Sequence, residues 1–382
     1  MENLASLFKS VFDDSDGIKR FFCPGRVNLI GEHIDYQGGL VLPTAISLGI
    51  TALCRLNDEN FIRLHSTDFN ETISFDLNNL PNEKQGRWSD YVLGVIHHLR
   101  NSGAELSGCD MLFDSSLPKA SGLSSSAALE VLSYYSLYTL NVGGETDRKR
   151  MALDCQEVEN RFIGVKCGIM DQFAVANGKA DHSILLDCHS LKSELIPLDL
   201  GDFSLVIVNS NKPRTLAESG YNQRRRECER ALDILRESKP ELDNLVNAGP
   251  NDLGLLDDPV LKKRARHVIT EQIRVTESAK VLKTNDLAAF GRLMSQSHRS
   301  LQRDYQVSCI ELDFIVDFLN AQASCLGARM TGAGFGGCAV ALVSSDSLNS
   351  IDNDLTHSYE TRFGFALDFY ACIPSDGVHS IA

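Results

Sequence analysis

The sequence predicts a mixed fold of α-helices and β-strands arranged in two domains. At 382 residues the chain is long enough for two domains or for one large one. Residues 50–56 alternate between apolar and polar positions, as in a half-buried strand. Helices are predicted at 127–140, which is apolar nearly all round, and at 148–162, where an apolar stripe recurs. The apolar strand Leu205–Val208 is the predicted start of a second domain.

Charge and cysteine content exclude several classes of protein. The net charge is −14, whereas a nucleic-acid binder needs a basic face to neutralise phosphates. The eleven cysteines are scattered without a Cys-x-x-Cys pair, which indicates free thiols in a reducing compartment. No apolar run is long enough to cross a bilayer. We therefore expect a cytoplasmic protein that binds neither nucleic acid nor membrane.

The segment Leu117–Leu129, LPKASGLSSSAAL, predicts an anion site. A strand-like run, Met111–Phe113, precedes it, and an apolar helical pattern follows the serines. A small-residue loop that enters a helix presents free N–H groups and the positive end of the helix dipole, which suits a nucleotide's phosphates. Ser124 or a neighbour is the predicted helix cap. A capped helix after an ordinary turn has the same pattern, and no Gly-Lys-Ser/Thr follows as in a Walker A loop.

Four ionisable residues flank a short predicted strand, Val27–Ile30. They are Arg26, Glu32, His33 and Asp35. Carboxylates accept hydrogen bonds from hydroxyl groups and a histidine can donate or accept, so this cluster suits a ligand with several hydroxyls. A solvated turn carries similar charges. A metal site ranks second, because no other histidine lies at ligand spacing.

Two further acids are candidates for function. Asp171 lies in the otherwise apolar segment Cys167–Val175, and an unpaired buried carboxylate is costly, so it needs a partner or a function. Glu159 lies at the edge of the apolar stripe of the 148–162 helix. It is either a solvated acid or a residue that reaches a metal ion.

Three other features have both a functional and an ordinary interpretation. Trp88, the only tryptophan, either stacks on a purine or fills a core edge. The segment Met330–Cys338, MTGAGFGGC, is a tight turn that either closes over a ligand or only joins two elements. The arginines at 224–226 are followed by Glu227 and Glu229 and are interpreted as a solvated helix face with ion pairs.

Several stretches together resemble the GHMP kinases, a superfamily of sugar, homoserine, mevalonate and phosphomevalonate kinases. Gly25–Tyr36, GRVNLIGEHIDY, is similar to the N-terminal signature of the galactokinase family within it. Cys167–Phe173, Asp304–Cys309 and Met330–Cys338 are also similar to galactokinase sequences. The likeness extends from about residue 20 to the last predicted strand.

This resemblance implies an α+β fold of two domains, in which mixed sheets pack with helices and the active site lies in the cleft between the domains. Residues 1–200 would form the N-terminal domain, with the sugar motif and the phosphate loop. Residues 201–382 would form the C-terminal domain, with the MTGAGFGGC turn. We expect the tail after Phe365 to pack back on the first domain.

The resemblance also implies transfer of the ATP γ-phosphate to the anomeric hydroxyl of α-D-galactose, with Mg²⁺. Asp171 matches the catalytic aspartate, which either removes a proton or orients the hydroxyl, and Arg26 matches the arginine that faces it. The sugar contacts would be Glu32, His33, Asp35, Gly168 and Tyr221. The ATP site would contain Trp88, Gly122, Leu123, Ser124, Ser125 and Ser126, and the Mg²⁺ site Ser126 and Glu159.

One departure from the family pattern is visible in the phosphate loop. Ala120 and Ser121 stand where the family begins Gly-Ala-Gly or Gly-Gly-Gly, which restricts the backbone at Ala120. A kinase for N-acetylgalactosamine or arabinose, or a sensor that binds galactose and ATP without turnover, remains an alternative. The expected partners are therefore small molecules, and the chain is expected to be a monomer or a weak homo-oligomer.

Overall fold

The computed structural model describes residues 2–118, 122–212 and 217–381. Helix α1 covers Glu2–Phe12 and precedes the first sheet. The strands of the first half and the last strand of the chain are β1 Lys19–Asn28, β2 Leu40–Val41, β3 Pro43–Leu56, β4 Phe61–Ser66, β5 Glu71–Asp76, β6 Cys109–Ser115, β7 His182–Asp187, β8 Ser193–Pro197 and β13 His379–Ile381. The helices of the first half after α1 are α2 Asp90–Asn101, α3 Ser125–Asn141, α4 Arg148–Val158 and α5 Met170–Asn177.

The largest sheet has the strand order β13-β1-β3-β6-β4-β5. All its pairs are antiparallel except β4 with β6, which are parallel. Helix α3 packs against β1 and β3. Because α3 starts directly after the predicted phosphate loop, this packing fixes the helix N-terminus at the carboxyl end of β1. A smaller sheet pairs β2, β7 and β8.

The second half builds a four-stranded antiparallel sheet, β10-β11-β9-β12. Its strands are β9 Phe203–Asn209, β10 Cys325–Thr331, β11 Cys338–Ser344 and β12 Asp368–Cys372. Its helices are α6 Ala217–Ser238, α7 Pro259–Lys283, α8 Leu287–Ser300, α9 Ile310–Asn320 and α10 Leu348–Phe363. Helices α8 and α9 pack on β10, and α6 packs on α7.

The predicted mixture of helices and strands is confirmed, with local differences. The helix predicted at 148–162 is α-helical only to Val158 and continues as a π-helical turn over Glu159–Ile163. A division into domains after residue 200 remains our proposal; β9, which follows that point, is the first strand of the four-stranded sheet. The tail divides between sheets, because β12 pairs with β9 and β13 pairs with β1.

The arginine run of α6 differs from its prediction. Arg224 is buried, and its guanidinium donates to the backbone carbonyls of Tyr305 and Gln306 at 2.6 and 2.9 Å. Glu227 is also buried and accepts from Arg264 at 2.6 Å. The interpretation of this run as a solvated face is therefore wrong for Arg224, which holds a distant segment of backbone. Within the described ranges, no helix is long and apolar enough to cross a membrane.

Candidate active site

Two adjoining cavities collect the residues singled out in the sequence. The polar cavity has a volume of about 210 Å³, and the aromatic cavity has a volume of about 390 Å³. The predicted sugar and phosphoryl-transfer residues all line the polar cavity: Arg26, Glu32, His33, Asp35, Gly168, Asp171 and Tyr221. The aromatic cavity is lined by Trp88, Ser125 and Ser126, among others.

Asp171 lies where the two cavities approach each other. Its Oδ1 accepts from Arg26 Nε at 3.0 Å and from Arg26 Nη2 at 2.8 Å, and its Oδ2 accepts from Ser124 Oγ at 2.7 Å. The Asp171 side chain is one-third exposed, at 33%, whereas that of Arg26 is buried. A carboxylate that receives three hydrogen bonds, two of them from a guanidinium, is held in one orientation and still faces the cavity.

Arg26 also connects Asp171 to the phosphate loop. Its Nη1 donates to the Gly122 carbonyl at 2.7 Å, and its backbone N–H donates to the Leu123 carbonyl at 3.2 Å. Arg26 lies in β1 and Asp171 in the first turn of α5, so a single side chain joins a strand, a helix and a loop. Ala120 and Ser121, the departure from the family pattern, lie outside the described residues.

Ser124 occupies the N-cap position of α3, but the predicted side-chain cap is wrong. Its φ of 64° is left-handed, and no side-chain cap hydrogen bond forms, because the hydroxyl donates to Asp171 instead. The N–H groups of the first helical turn therefore donate no hydrogen bond to this side chain. Uncapped N–H groups at a helix N-terminus are the arrangement that binds phosphate.

Glu32 is fixed by residues from the other half of the chain. Its Oε1 accepts from Thr331 Oγ1 at 2.9 Å and from the Gly332 N–H at 2.7 Å, with the Arg329 guanidinium at 3.3 Å. The carboxyl is almost fully buried yet lines the polar cavity. The turn after β1 and the Gly-rich turn before β11 thus meet at this carboxylate.

His33 uses both ring nitrogens within the protein. Its Nδ1 lies 3.0 Å from the Tyr36 hydroxyl, and its Nε2 lies 3.1 Å from the Ala333 carbonyl oxygen. Burial lowers the pKa of His33 to about 4, so the ring is neutral. Its predicted contact with a sugar hydroxyl remains a proposal, and that contact has to share or replace the hydrogen bond to Ala333.

Asp35 and Gly168 lie side by side in the wall of the polar cavity. Burial, together with the neighbouring Glu32 and Asp171 carboxylates, raises the pKa of Asp35 to about 7. A Cβ atom on residue 168 would lie 2.5 Å from the Asp35 carboxylate oxygen, so only glycine leaves Asp35 its present position. Tyr221, from α6, closes this side, with its ring centroid 5.6 Å from that of His33.

The aromatic cavity is built from rings and aliphatic side chains. Trp88 is half-buried and stacks on Phe69, with ring centroids 6.1 Å apart and planes 3° apart. Its indole N–H donates to Glu71 at 3.0 Å. Trp88 therefore packs against the core on one side and lines the cavity on the other, and its predicted stacking on a purine remains a proposal.

Glu159 and Ser126 are suited to a magnesium ion. Glu159 is buried, accepts from Gln172 Nε2 at 2.6 Å and hydrogen-bonds the Ser126 hydroxyl. Burial and the nearby Asp171 carboxylate raise the pKa of Glu159, so a cation beside it would favour its ionised form. Across the described residues no group of three His, Cys, Asp or Glu side chains could hold a metal. Mg²⁺ is commonly held by one or two carboxylates together with water and phosphate oxygens, and a site at Glu159 and Ser126 remains a proposal.

Two residues of α7 that sequence patterns did not reveal support the sugar motif. Glu271 accepts from the Gly31 N–H at 3.0 Å, and His267 Nε2 donates to the Glu32 carbonyl at 3.0 Å. Although burial acts against it, Arg274, His267 and Arg329 lower the pKa of Glu271 to about 2. Both residues lie within the apolar periodicity of a helix, more than 230 positions from the turn that they hold, and no local signal marks them.

Comparison with known proteins agrees with this geometry. Residues 6–56 match the galactokinase galactose-binding signature, residues 90–179 the N-terminal domain of the GHMP kinases and residues 278–360 their C-terminal region. Galactokinases of Exiguobacterium sibiricum and Enterococcus faecalis are each 42% identical, over 100% of this chain and 98% and 99% of their own lengths.

Solved structures extend the comparison to the fold. Lactococcus lactis galactokinase in complex with galactose is 39% identical, with a TM-score of 0.93 over 100% of this chain and 99% of its own. Methanococcus jannaschii mevalonate kinase, at 21% identity, shares the fold with a TM-score of 0.68, over 95% of this chain and 100% of its own. The full-length identity and the ordered signatures lead to one conclusion: the chain belongs to the galactokinase family of the GHMP kinases.

Proposed function

We propose that this protein transfers the γ-phosphate of ATP to the anomeric hydroxyl of α-D-galactose, giving galactose 1-phosphate and ADP. The observation that carries the proposal is the position of Asp171. Its carboxylate faces a polar cavity suited to a sugar and contacts, through Ser124 and Arg26, the uncapped N-terminus of α3. An acceptor hydroxyl and a phosphate are thereby brought to opposite sides of one charged pair.

Phosphoryl transfer requires the protein mainly to position the reactants and to neutralise charge. In the proposed reaction Asp171 Oδ2 accepts a hydrogen bond from the anomeric hydroxyl and takes its proton. The sugar oxygen bonds to the γ-phosphorus as the bond from that phosphorus to the leaving oxygen of ADP breaks. Arg26 keeps the carboxylate in place and stabilises negative charge that develops between sugar and phosphate. The free N–H groups of α3 bind the phosphates from the other side.

Recognition of the sugar is assigned to the carboxylates of the polar cavity. Asp35 accepts from the 3- and 4-hydroxyls, whereas Glu32 and His33 face the 6-hydroxyl. Gly168 leaves space for Asp35, and Tyr221 packs against the ring. These roles are supported by the shared cavity and by the fixed orientation of Glu32.

Bound beside the Glu159 carboxylate and the Ser126 hydroxyl, a Mg²⁺ ion would supply Lewis-acid neutralisation of phosphate charge. The Glu159 carboxylate and the Ser126 hydroxyl are the protein groups proposed to hold it, because they lie together beside the aromatic cavity. Trp88 and its aromatic neighbours contact the adenine base. The leucine and serines that follow Gly122 bring the phosphates to the start of α3.

The experiment that tests the proposal uses purified protein, Mg-ATP and a panel of galactose, N-acetylgalactosamine, arabinose and glucose. ADP release is followed, and the product is identified as a 1-phosphate by ³¹P NMR. Galactose is expected to give the highest kcat/KM. Sugar binding without ADP release above background would contradict a kinase, and a higher kcat/KM for another sugar of the panel would contradict the assignment of galactose.

A further inference from the structure

A chain of hydrogen bonds extends from the wall of the polar cavity into the core. It starts at His33, whose Nδ1 lies 3.0 Å from the Tyr36 hydroxyl. The Tyr36 hydroxyl lies 2.7 Å from that of Tyr305, which in turn lies 3.2 Å from the Cys228 sulfur. Tyr305 and Cys228 are fully buried and do not line the cavity. The chain therefore connects a cavity residue to two residues that no ligand reaches.

The direction of every hydrogen bond in this series is determined by the contact between His33 and the Ala333 carbonyl. The Ala333 carbonyl can only accept, so the His33 Nε2 that lies 3.1 Å from it must carry a proton. Because the buried ring is neutral, Nδ1 has no proton and accepts from the Tyr36 hydroxyl. Tyr36 then accepts from Tyr305, and Tyr305 accepts from the Cys228 thiol. The hydroxyls of Tyr36 and Tyr305 thus each donate one hydrogen bond and accept one, and neither hydroxyl proton is left without an acceptor.

Tyr305 and Cys228, at the far end of this series of hydrogen bonds, are held in place by their surroundings. Arg224 Nε donates to the Tyr305 carbonyl at 2.6 Å, and the His267 ring packs on the Tyr305 ring with centroids 4.5 Å apart. Tyr305 ends a π-helical turn, Leu301–Tyr305, and Cys228 lies in α6. Two elements of the second half of the chain thus determine the position of a histidine in the first half.

We propose that Tyr36 and Tyr305 are positioning residues for sugar binding, which act by fixing the tautomer and orientation of His33. With Nε2 protonated, His33 holds the Ala333 carbonyl and so keeps the Gly-rich turn against the polar cavity. Gly332 and Ala333 of that turn line the cavity. Loss of either hydroxyl loosens this wall, which contacts the sugar and not the base. The inference rests on the proposed function only for the identity of the sugar.

The test compares Tyr36→Phe, Tyr305→Phe and the double variant in the complete chain. Each single change is expected to raise KM for galactose by about twofold to tenfold, the range for one net hydrogen bond, with KM for ATP unchanged. Since Tyr305 acts through Tyr36, the double variant is expected to match Tyr36→Phe alone, which two independent effects would not do.

Tyr359→Phe is the matched control. Tyr359 is another fully buried tyrosine, and its hydroxyl donates to the Ser210 carbonyl at 2.7 Å in the separate apolar cluster of the second half. Its loss is expected to lower the midpoint of thermal unfolding about as much as Tyr305→Phe does, without a change in either KM. Equal effects of both variants on KM for galactose would reduce Tyr305 to a general role in stability and overturn the proposal.

A second measurement does not depend on turnover. The ¹⁵N shifts of the His33 ring are expected to show a proton on Nε2 in the wild type and a mixture of tautomers in Tyr36→Phe. A wild-type ring with its proton on Nδ1 would overturn the inference even if galactose is the substrate. If galactose is not phosphorylated but the tautomer and its dependence on Tyr36 are as expected, the proposed function fails and the positioning role stands.

Discussion

The polar cavity, which is the proposed sugar end of the site, and the aromatic cavity, which is the proposed nucleotide end, are built on opposite principles. At the sugar end, polar groups such as Glu32 and His33 are buried, and their hydrogen bonds come from both halves of the chain. At the nucleotide end, the wall is made of rings and aliphatic side chains, and Phe69 is 59% exposed. The sugar end is held in place by directional hydrogen bonds, whereas the nucleotide end provides apolar surface for contact.

This difference predicts that the two ends of the site tolerate substitutions and altered ligands to different degrees. A site with fixed hydrogen-bonding groups rejects a ligand whose hydroxyl is misplaced, because a buried carboxylate is left without its partner. An apolar wall depends on contact area, which several orientations of a planar base satisfy. Changes at the sugar end should therefore be large and specific, and changes at the nucleotide end should be small.

The largest effect is expected for Asp171→Asn. The amide cannot take the proton of the acceptor hydroxyl, so kcat should fall by about 10²–10⁴-fold, the usual contribution of a general base. KM for both substrates should change little, because the cavity walls remain in place. Steady-state kinetics with a circular-dichroism control for folding measure this. A kcat close to that of the wild type would mean that Asp171 only orients the sugar or lies outside the reaction.

The choice between galactose and glucose should be the next largest effect. The two sugars differ in the direction of the 4-hydroxyl, which Asp35 is proposed to read. Glucose should be worse by about 10³-fold or more in kcat/KM. Asp35→Ala should lower the rate on galactose and narrow the ratio, since the discriminating acceptor is absent. An unchanged ratio in this variant would assign the discrimination to another residue.

A pH dependence of sugar binding should be of intermediate size. Burial raises the pKa of Asp35 to about 7, so this carboxyl is mostly protonated at pH 6 and mostly ionised at pH 8. If the ionised form accepts the sugar hydroxyls, KM for galactose should fall about tenfold from pH 6 to pH 8, from the change in ionised fraction. Asp35→Asn should remove this dependence; its persistence would point to a different titrating group.

The raised pKa of Asp35 affects the stability of the fold in the opposite direction to its effect on sugar binding. An acid with a raised pKa in the folded state binds protons more tightly there than in the unfolded chain. Its contribution to the free energy of unfolding is therefore greatest at low pH and declines as the pH rises from about 4 to about 7. As the pH rises, the affinity for the sugar thus increases while the contribution of Asp35 to the free energy of unfolding decreases.

The smallest effect is expected at the nucleotide end. Phe69→Ala removes one ring from a wall in which Trp88 remains. The loss of stacking is about 0.5–1 kcal/mol, which corresponds to about a twofold to fivefold rise in KM for ATP, with KM for galactose unchanged. A rise of 100-fold would show that this wall is as specific as the sugar end and would remove the contrast between them.

The sequence by itself determined the parts of the site that depend on neighbouring residues. Arg26 directly precedes the short predicted strand Val27–Ile30, Glu32 and Asp35 follow it, and the small-residue loop before α3 can be recognised from the local pattern alone. Asp171 and Glu159 also stood out in apolar surroundings, and the resemblance to the galactokinase family implied their roles; Asp171 lines the polar cavity together with Arg26, Glu32 and Asp35. Such features are visible because backbone geometry fixes the relation between residues a few positions apart.

Only the tertiary structure decided which partner each polar group has. Ser124 was expected to cap α3 and instead donates to Asp171, 47 positions away. Arg224 was expected in solvent, yet it holds the Tyr305 carbonyl. Glu271 supports Gly31 across 240 positions. No periodicity encodes contacts over such separations, because they depend on how packed elements meet; burial then forces each polar group to bond whatever partner the packing brings near.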